Sequence, residues 1–243
     1  MENSKCLIEV VNLTKIYGSG DSAVLALDKI NLKIFEGDFI AIMGASGSGK
    51  STFMNILGTL DVPTSGQYFF NNINVANMDD DERSQIRSKY IGFVFQSFNL
   101  VKTLNAVENV ELPLFYLKDF NKKNKKNENY RIKRKYIREK AISLLKEVGL
   151  QDRLYHKINQ LSGGQQQRIA IARALINDPD LILADEPTGN LDSKTSVEIM
   201  QVFTNLHNKG KTIVLVTHEH DIASFAKKVV EFKDGKIIEI REN

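Results

Sequence analysis

The residues best suited to chemistry begin at Gly44-Ala45-Ser46-Gly47-Ser48-Gly49-Lys50-Ser51. Their spacing is G-x-x-x-x-G-K-S, in which glycines let successive backbone N–H groups turn inward around an anion. Lys50 at this position can reach β- and γ-phosphates, and the Ser51 hydroxyl suits Mg²⁺. The flanks agree. Phe39-Ile40-Ala41-Ile42-Met43 reads as a buried strand, and Phe53, Ile56, Leu57 and Leu60 then recur at helical spacing. Strand, loop and helix in that order put the positive end of a helix behind the loop. A Gly/Ser turn that matched by accident would lack both flanks. The stretch predicts a nucleoside-triphosphate site.

Four further stretches have chemistry of the same kind. Leu161-Ser162-Gly163-Gly164-Gln165 precedes a periodic helical run containing Ile169, Ala170, Ala172 and Ile176. Ser162 is placed to cap that helix, and the glycine pair leaves N–H groups bare at its positive end, a second anion site. Asp185-Glu186 follows the apolar strand Leu181-Ile182-Leu183-Ala184. Two carboxylates at the end of a core strand are costly unless used; the first suits Mg²⁺ and the second water activation. Gln96 follows the strand Ile91-Gly92-Phe93-Val94-Phe95, and His218 follows Thr212-Ile213-Val214-Leu215-Val216. The other histidines, His156, His207 and His220, read as surface residues.

Around these lie the elements that must position them. Residues 7–13 alternate apolar and polar, and 24–34 form a second strand interrupted near Asp28-Lys29. Tyr17-Gly18-Ser19-Gly20-Asp21 turns between them, and Tyr17 is read as a turn or core tyrosine that could stack on a base. Asn71-Asn72 and Asp234-Gly235 each sit between short apolar runs and predict hairpins. Residues 79–88 read as a charged helix, 103–114 as a helix ending at Pro113, and 130–149 as an amphipathic helix ending at Gly149.

Composition limits the alternatives. The chain has 243 residues, 42 % of them hydrophobic, enough for a real core. Cys6 is the single cysteine, which excludes an internal disulfide and reads as a structural thiol in a reducing compartment. The polar N-terminus does not read as a signal peptide, and no apolar run approaches the ~20 residues that span a bilayer. The net charge of +3 is local: residues 118–140 hold eleven Lys/Arg against three Asp/Glu, so the remainder is acidic. No nucleic-acid partner is expected. The Lys/Asn-rich run reads as a solvated insertion, with contact to an anionic membrane leaflet as the sharper reading.

Taken in order, Lys50, Gln96, Ser162-Gly163-Gly164, Asp185-Glu186 and His218 resemble the ATPase subunits of ABC transporters, over nearly the whole chain. LSGGQQQRIAIARAL at 161–175 is specific to that class among P-loop ATPases. The resemblance implies an α/β fold: a RecA-like core with an N-terminal antiparallel β-lobe (1–96 and 161–243) and an inserted helical lobe at 97–160. It implies ATP and Mg²⁺ as cofactors. Tyr17 would stack on adenine, residues 44–52 through Thr52 would hold the phosphates, and Ser51, Gln96 and Asp185 the Mg²⁺. Glu186 would be the general base, and His218 would contact the γ-phosphate. Ser162, Gly163, Gly164 and Gln165 would serve the ATP of a second copy in a head-to-tail dimer, with Asp192 communicating between sites. The stretches 17–27, 97–110 and 184–192 look like the lipoprotein-release and macrolide-efflux branch. That branch implies a peripheral protein on the cytoplasmic face of the inner membrane, working with a separate permease. The Lys-rich run departs from the family by roughly a dozen residues, in a lobe that docks on the permease. A DNA-repair ATPase would need long coiled coils between Gln96 and Leu161, for which there is no room; a soluble assembly ATPase without a permease is the remaining alternative.

Overall fold

A computed structural model describes residues 5–115 and 128–243 of the chain. Two sheets organise the described residues. The first is antiparallel and contains β1 (Cys6–Tyr17), β2 (Val24–Phe35), β4 (Ser65–Phe70) and β5 (Ile73–Asn74), in the order β2-β1-β4-β5. The second contains β3 (Phe39–Gly44), β6 (Ile91–Phe95), β7 (Leu181–Asp185), β8 (Thr212–Val216), β9 (Lys228–Lys233) and β10 (Lys236–Glu242). Its order is β10-β9-β3-β8-β7-β6, parallel except for the closing β9–β10 pair. This is the fold expected: a RecA-like parallel core, an antiparallel lobe and helices carried between β6 and β7.

The parallel strands are buried on both faces, so they read as unbroken apolar runs, and their period of two divides them between two cores. Ile40 and Ile42 of β3, Leu181 and Leu183 of β7, and Val214 and Val216 of β8 face the antiparallel lobe and α1 (Lys50–Leu57). Phe39, Ala41 and Met43, with Ile182, Ala184, Ile213 and Leu215, face the helices instead. On that side lie α3 (Ala106–Phe115), α4 (Glu128–Glu147), α5 (Gly163–Leu175) and α6 (Ser193–Asn208). α2 (Asp80–Tyr90) and the short α7 (His220–Ala223) complete the helices described.

Local chemistry explains the punctuation. Asn71-Asn72 (φ 49° and 63°) and Asp234-Gly235 (φ 49° and 76°) both take the positive φ that two-residue hairpins demand. Asp79 with Glu82 and Ser162 with Gln165 form reciprocal capping boxes at the starts of α2 and α5. Gly149 turns left-handed just beyond α4.

Four sequence expectations are corrected. β2 is continuous through Asp28-Lys29, with the irregularity absorbed by a shift in its pairing with β1 and a positive φ of 49° at Lys29. α1 ends at Leu57, so Leu60 lies beyond it and is exposed while Met54 takes a core place. α3 continues past Pro113 to Phe115, because only one intrahelical hydrogen bond is lost there. His207 is not a free surface residue: its ring packs on Phe39 and its Nε2 lies 3.0 Å from the Gly37 carbonyl. Residues 118–127 of the Lys-rich run, and residues 1–4 of the polar N-terminus, lie outside the described residues.

Candidate active site

Strand register brings the chemistry to one edge. Phe95 pairs with Asp185 and Asp185 with Val216, all in parallel, so Gln96, Glu186 and Thr217-His218 leave the sheet together. Ile42 pairs with Val216 on the other side, which delivers Gly44 and the loop after it to the same edge. The loop closes on α1 and opens a cleft of about 290 Å³. Ser46, Gly47, Gly49, Lys50, Ser51 and Thr52 line it, facing Glu186 and His218 on one side and Val24, Leu25 and Ala26 on the other.

The loop's glycines are required by geometry. Gly44 has φ 143°, and a Cβ there would stand 2.2 Å from the Phe232 carbonyl oxygen; Gly49 has φ 103°, and a Cβ would meet the Ala26 carbonyl at 2.6 Å. Gly235 of the β9–β10 turn backs the loop, its N–H donating to the Ser48 carbonyl. Gly44, Ala45 and Ser48 thus shape the loop from behind. Lys50 is buried, and its Nζ donates to the carbonyls of Gly44 (2.8 Å) and Ala45 (2.7 Å). A buried ammonium on two neutral carbonyls retains a third donor and an uncancelled charge, which suits a phosphate oxygen. The buried Ser48 Oγ has no partner among the described residues. These features fit a bound polyphosphate.

Across the cleft, Glu186 takes a left-handed φ of 42°, held by its N–H on the Val216 carbonyl and its carbonyl on the Gly189 N–H. Such strain in a non-glycine residue persists only where the surroundings over-determine it. It aims the carboxylate at His218, whose Nδ1 lies 2.8 Å from Glu186 Oε1. Burial, and then the neighbouring Glu186, push the Asp185 carboxyl above its ordinary range, against the opposing pull of Lys50. A carboxylate so placed is relieved by a cation. No group of three or more His, Cys, Asp or Glu is arranged for a metal among the described residues. Mg²⁺ held with substrate phosphates needs only one or two carboxylates, so Ser51, Gln96 and Asp185 fit that use.

Other predicted residues are not among those that line the cleft. Gln96 packs against Gly189, where a Cβ would stand 2.5 Å from its Nε2, and its carbonyl accepts from Asn190 Nδ2. Tyr17 sits at the cleft margin: it pairs with Val24 across the β-ladder, with Thr52 beside its hydroxyl. Ser162 to Gln165 do not line this cleft; they stand beside Phe98, Leu191 and Thr195 instead. Asp192 caps α6 through Thr195, and that hydrogen bonding holds its carboxyl below the ordinary range.

Sequence reasoning missed several contributors. Asp61 contacts Tyr17 from 44 residues further along the chain and pairs there with Lys15, with no motif to mark either. Val24 and Leu25 read in the sequence only as part of a strand, and their exposure at the cleft is seen only in the structure. Arg173 donates to the carbonyls of Phe98 and Asn99, both at positive φ, and so clamps the segment that follows Gln96. The buried Gln167 donates to the Pro187 carbonyl, linking α5 to the residue after Glu186.

A parallel sheet with a glycine-lined phosphate loop and a carboxylate pair at its edge defines a P-loop ATPase. Residues 27–189 match the family described as ABC transporter, and the chain belongs to it. A macrolide export ATP-binding/permease protein of Chlorobaculum tepidum is 52 % identical over 97 % of this chain, which spans 34 % of that relative. An uncharacterized ABC transporter ATP-binding protein of Methanocaldococcus jannaschii is 50 % identical over 96 % of this chain and 99 % of its own length. Among solved structures, a dimeric post-hydrolysis ATP-binding cassette bound to ADP and phosphate superposes with a TM-score of 0.83 at 46 % identity, covering 97 % of this chain and 98 % of that one. A cassette of Clostridium perfringens, part of a transporter complex, gives 0.84 at 28 % identity, covering 98 % and 89 %. The chain is an ATP-binding cassette with the fold and ATPase activity of that family. Among the described residues no helix is long and apolar enough to cross a membrane.

Proposed function

We propose that this chain is the ATP-hydrolysing subunit of a transport complex, paired head-to-tail with a second copy and driving a separate integral-membrane permease. The observation that carries the pairing is the position of α5: its capped N-terminus, with Ser162 exposed, is not part of the chain's own cleft. An anion site without a ligand of its own suits the γ-phosphate of a partner's ATP. Asp192, beside Ser162 to Gln165 through Thr195, would couple the two sites.

In this reading the loop amides and Lys50 hold the phosphates, Lys50 exchanging a carbonyl for a phosphate oxygen. Tyr17, Val24 and Leu25 receive the base. Glu186 takes a proton from the water that attacks the γ-phosphorus as the bridging P–O bond breaks, leaving ADP and phosphate. His218, bonded to Glu186, orients that water. Mg²⁺, held by Ser51, Gln96 and Asp185 when bound, supplies neutralisation of phosphate charge. The chain's own contribution is positioning and fixed charge, in keeping with phosphoryl transfer generally.

The helical lobe at 97–160 is the proposed docking unit for the permease. An open groove of about 430 Å³ where that lobe meets the core, lined by Leu112 and Pro113 of the lobe and Phe93, Phe95 and Arg173 of the core among others, offers a surface for it. The similarity to macrolide-export relatives supports export, lipoprotein release or envelope remodelling as the work performed, on the cytoplasmic membrane face. Affinity isolation from detergent-solubilised membranes tests this: a co-purifying integral-membrane protein is expected, and recovery of soluble partners alone sinks the transporter reading.

A further inference from the structure

The Tyr17 side chain is tied to the loop after α1. Its Oη donates to Asp61 Oδ2 at 2.7 Å, while Lys15 Nζ donates to Asp61 Oδ1 at 2.6 Å and to the Val62 carbonyl at 2.8 Å. The Val62 N–H fills the remaining place on Oδ1 at 2.7 Å. Lys15 is 8 % exposed and lies 4.8 Å from the centre of the Tyr17 ring, yet Tyr17 as a whole is 41 % exposed. A largely buried ion pair is an expensive way to staple β1 to the loop after α1, since desolvation offsets much of the attraction. What the arrangement adds is direction: an open aromatic face fixed at its hydroxyl end, beside Thr52 of the phosphate-loop helix.

We infer that Asp61, braced by Lys15, is a positioning residue that presets the Tyr17 ring as the platform for the nucleotide base. This rests on the reading of Tyr17 as the base-stacking residue. Without the brace, the ring must be ordered when nucleotide arrives, and that ordering cost appears in nucleotide affinity and not in the hydrolytic step. Stacking is tolerant of base identity, so the brace sharpens affinity for nucleotides in general and does not select the base.

The test measures steady-state ATPase of the full chain for Asp61→Ala, Tyr17→Phe, Tyr17→Ala and the Asp61→Ala/Tyr17→Ala double variant. Inhibition by Mg²⁺-tripolyphosphate, which has no base, is measured in each. Asp61→Ala and Tyr17→Phe are expected to raise KM for ATP about three- to tenfold with kcat changed less than twofold, and to leave tripolyphosphate inhibition unchanged. Asp61→Ala should add nothing on top of Tyr17→Ala. If Tyr17→Ala leaves KM unchanged, the platform reading itself fails. If Tyr17→Ala raises KM but Asp61→Ala and Tyr17→Phe do not, Asp61 does not position it. Equal losses for ATP and tripolyphosphate would mean a structural staple only, and Tyr17→Phe, which keeps the ring and the Lys15–Asp61 pair, decides the matter should Asp61→Ala fold poorly.

Discussion

Glu186 Oε1 lies 2.8 Å from His218 Nδ1, across the ends of the adjacent strands β7 and β8. The contact depends on one backbone distortion, the left-handed φ of Glu186, which turns the carboxylate from the strand direction toward the histidine. Replacing Glu186 with Gln preserves shape but removes the base. Turnover is expected to fall by about 10²- to 10⁴-fold, the usual share of general-base catalysis. ATP-dependent dimerisation should persist, seen as a shift to twice the monomer mass in sedimentation or size-exclusion runs. Sustained hydrolysis in Glu186→Gln would remove Glu186 from that role.

Separation of the α5 N-terminus from the chain's own cleft makes a mixing experiment decisive. Lys50→Ala damages the phosphate loop and Ser162→Arg the capped helix start, and each variant alone should be nearly inactive. Mixed dimers contain one site in which both halves are intact. ATPase or ATP-dependent association should therefore reappear on mixing; two inactive variants that stay inactive and monomeric together would argue against head-to-tail pairing.

Asp185 offers a stability test with a definite sign. Its carboxyl is raised by burial and by Glu186, so the folded state binds the proton more tightly than the unfolded state does. That contribution to stability is present below the unfolded-state value and is lost as pH rises through the folded-state one. Without nucleotide, Asp185→Asn is expected to melt at a higher temperature than the parent at pH 7, with the gap closing in acid. The same variant should lose Mg²⁺-dependent ATPase. A lower melting temperature at pH 7 would contradict the assignment.

Gly189 bears on Gln96. A Cβ there would meet the Gln96 amide at 2.5 Å, but the obstacle is the end of a flexible side chain. Gly189→Ala should thus fold with little loss of melting temperature while displacing Gln96. An ångström-scale misplacement costs on the order of ten- to a hundredfold in rate. Unchanged ATPase and Mg²⁺ dependence would show that Gln96 does not need its present position.

Deleting residues 121–129 removes much of the Lys/Asn-rich run and none of the residues that line the cleft. Basal ATPase is expected to stay within about twofold. A collapse of activity in soluble assays would mark the run as structural.

What could be read without coordinates was local. The phosphate loop, both hairpin turns and the Ser162 cap announce themselves because their backbone needs particular residues: glycine or asparagine at positive φ, or a hydroxyl before a helix. The buried strands were legible as apolar runs because a parallel sheet covered on both faces leaves no polar side. Leu60 and Pro113 were misjudged for the opposite reason: periodicity does not say where a helix stops, and a proline's lost hydrogen bond can be outweighed by packing.

The amino-acid sequence by itself determined the fuel, through Gly44 to Ser51, and the family, through the run from Leu161. Both are contiguous patterns in which chemistry dictates spacing. Only the tertiary structure decided which groups meet: Glu186 with His218, Tyr17 with Asp61, Gln96 with Gly189, and an α5 start left outside its own cleft. Those relationships come from strand register and from the order of strands in a sheet, which join residues dozens of positions apart, and no local preference encodes that.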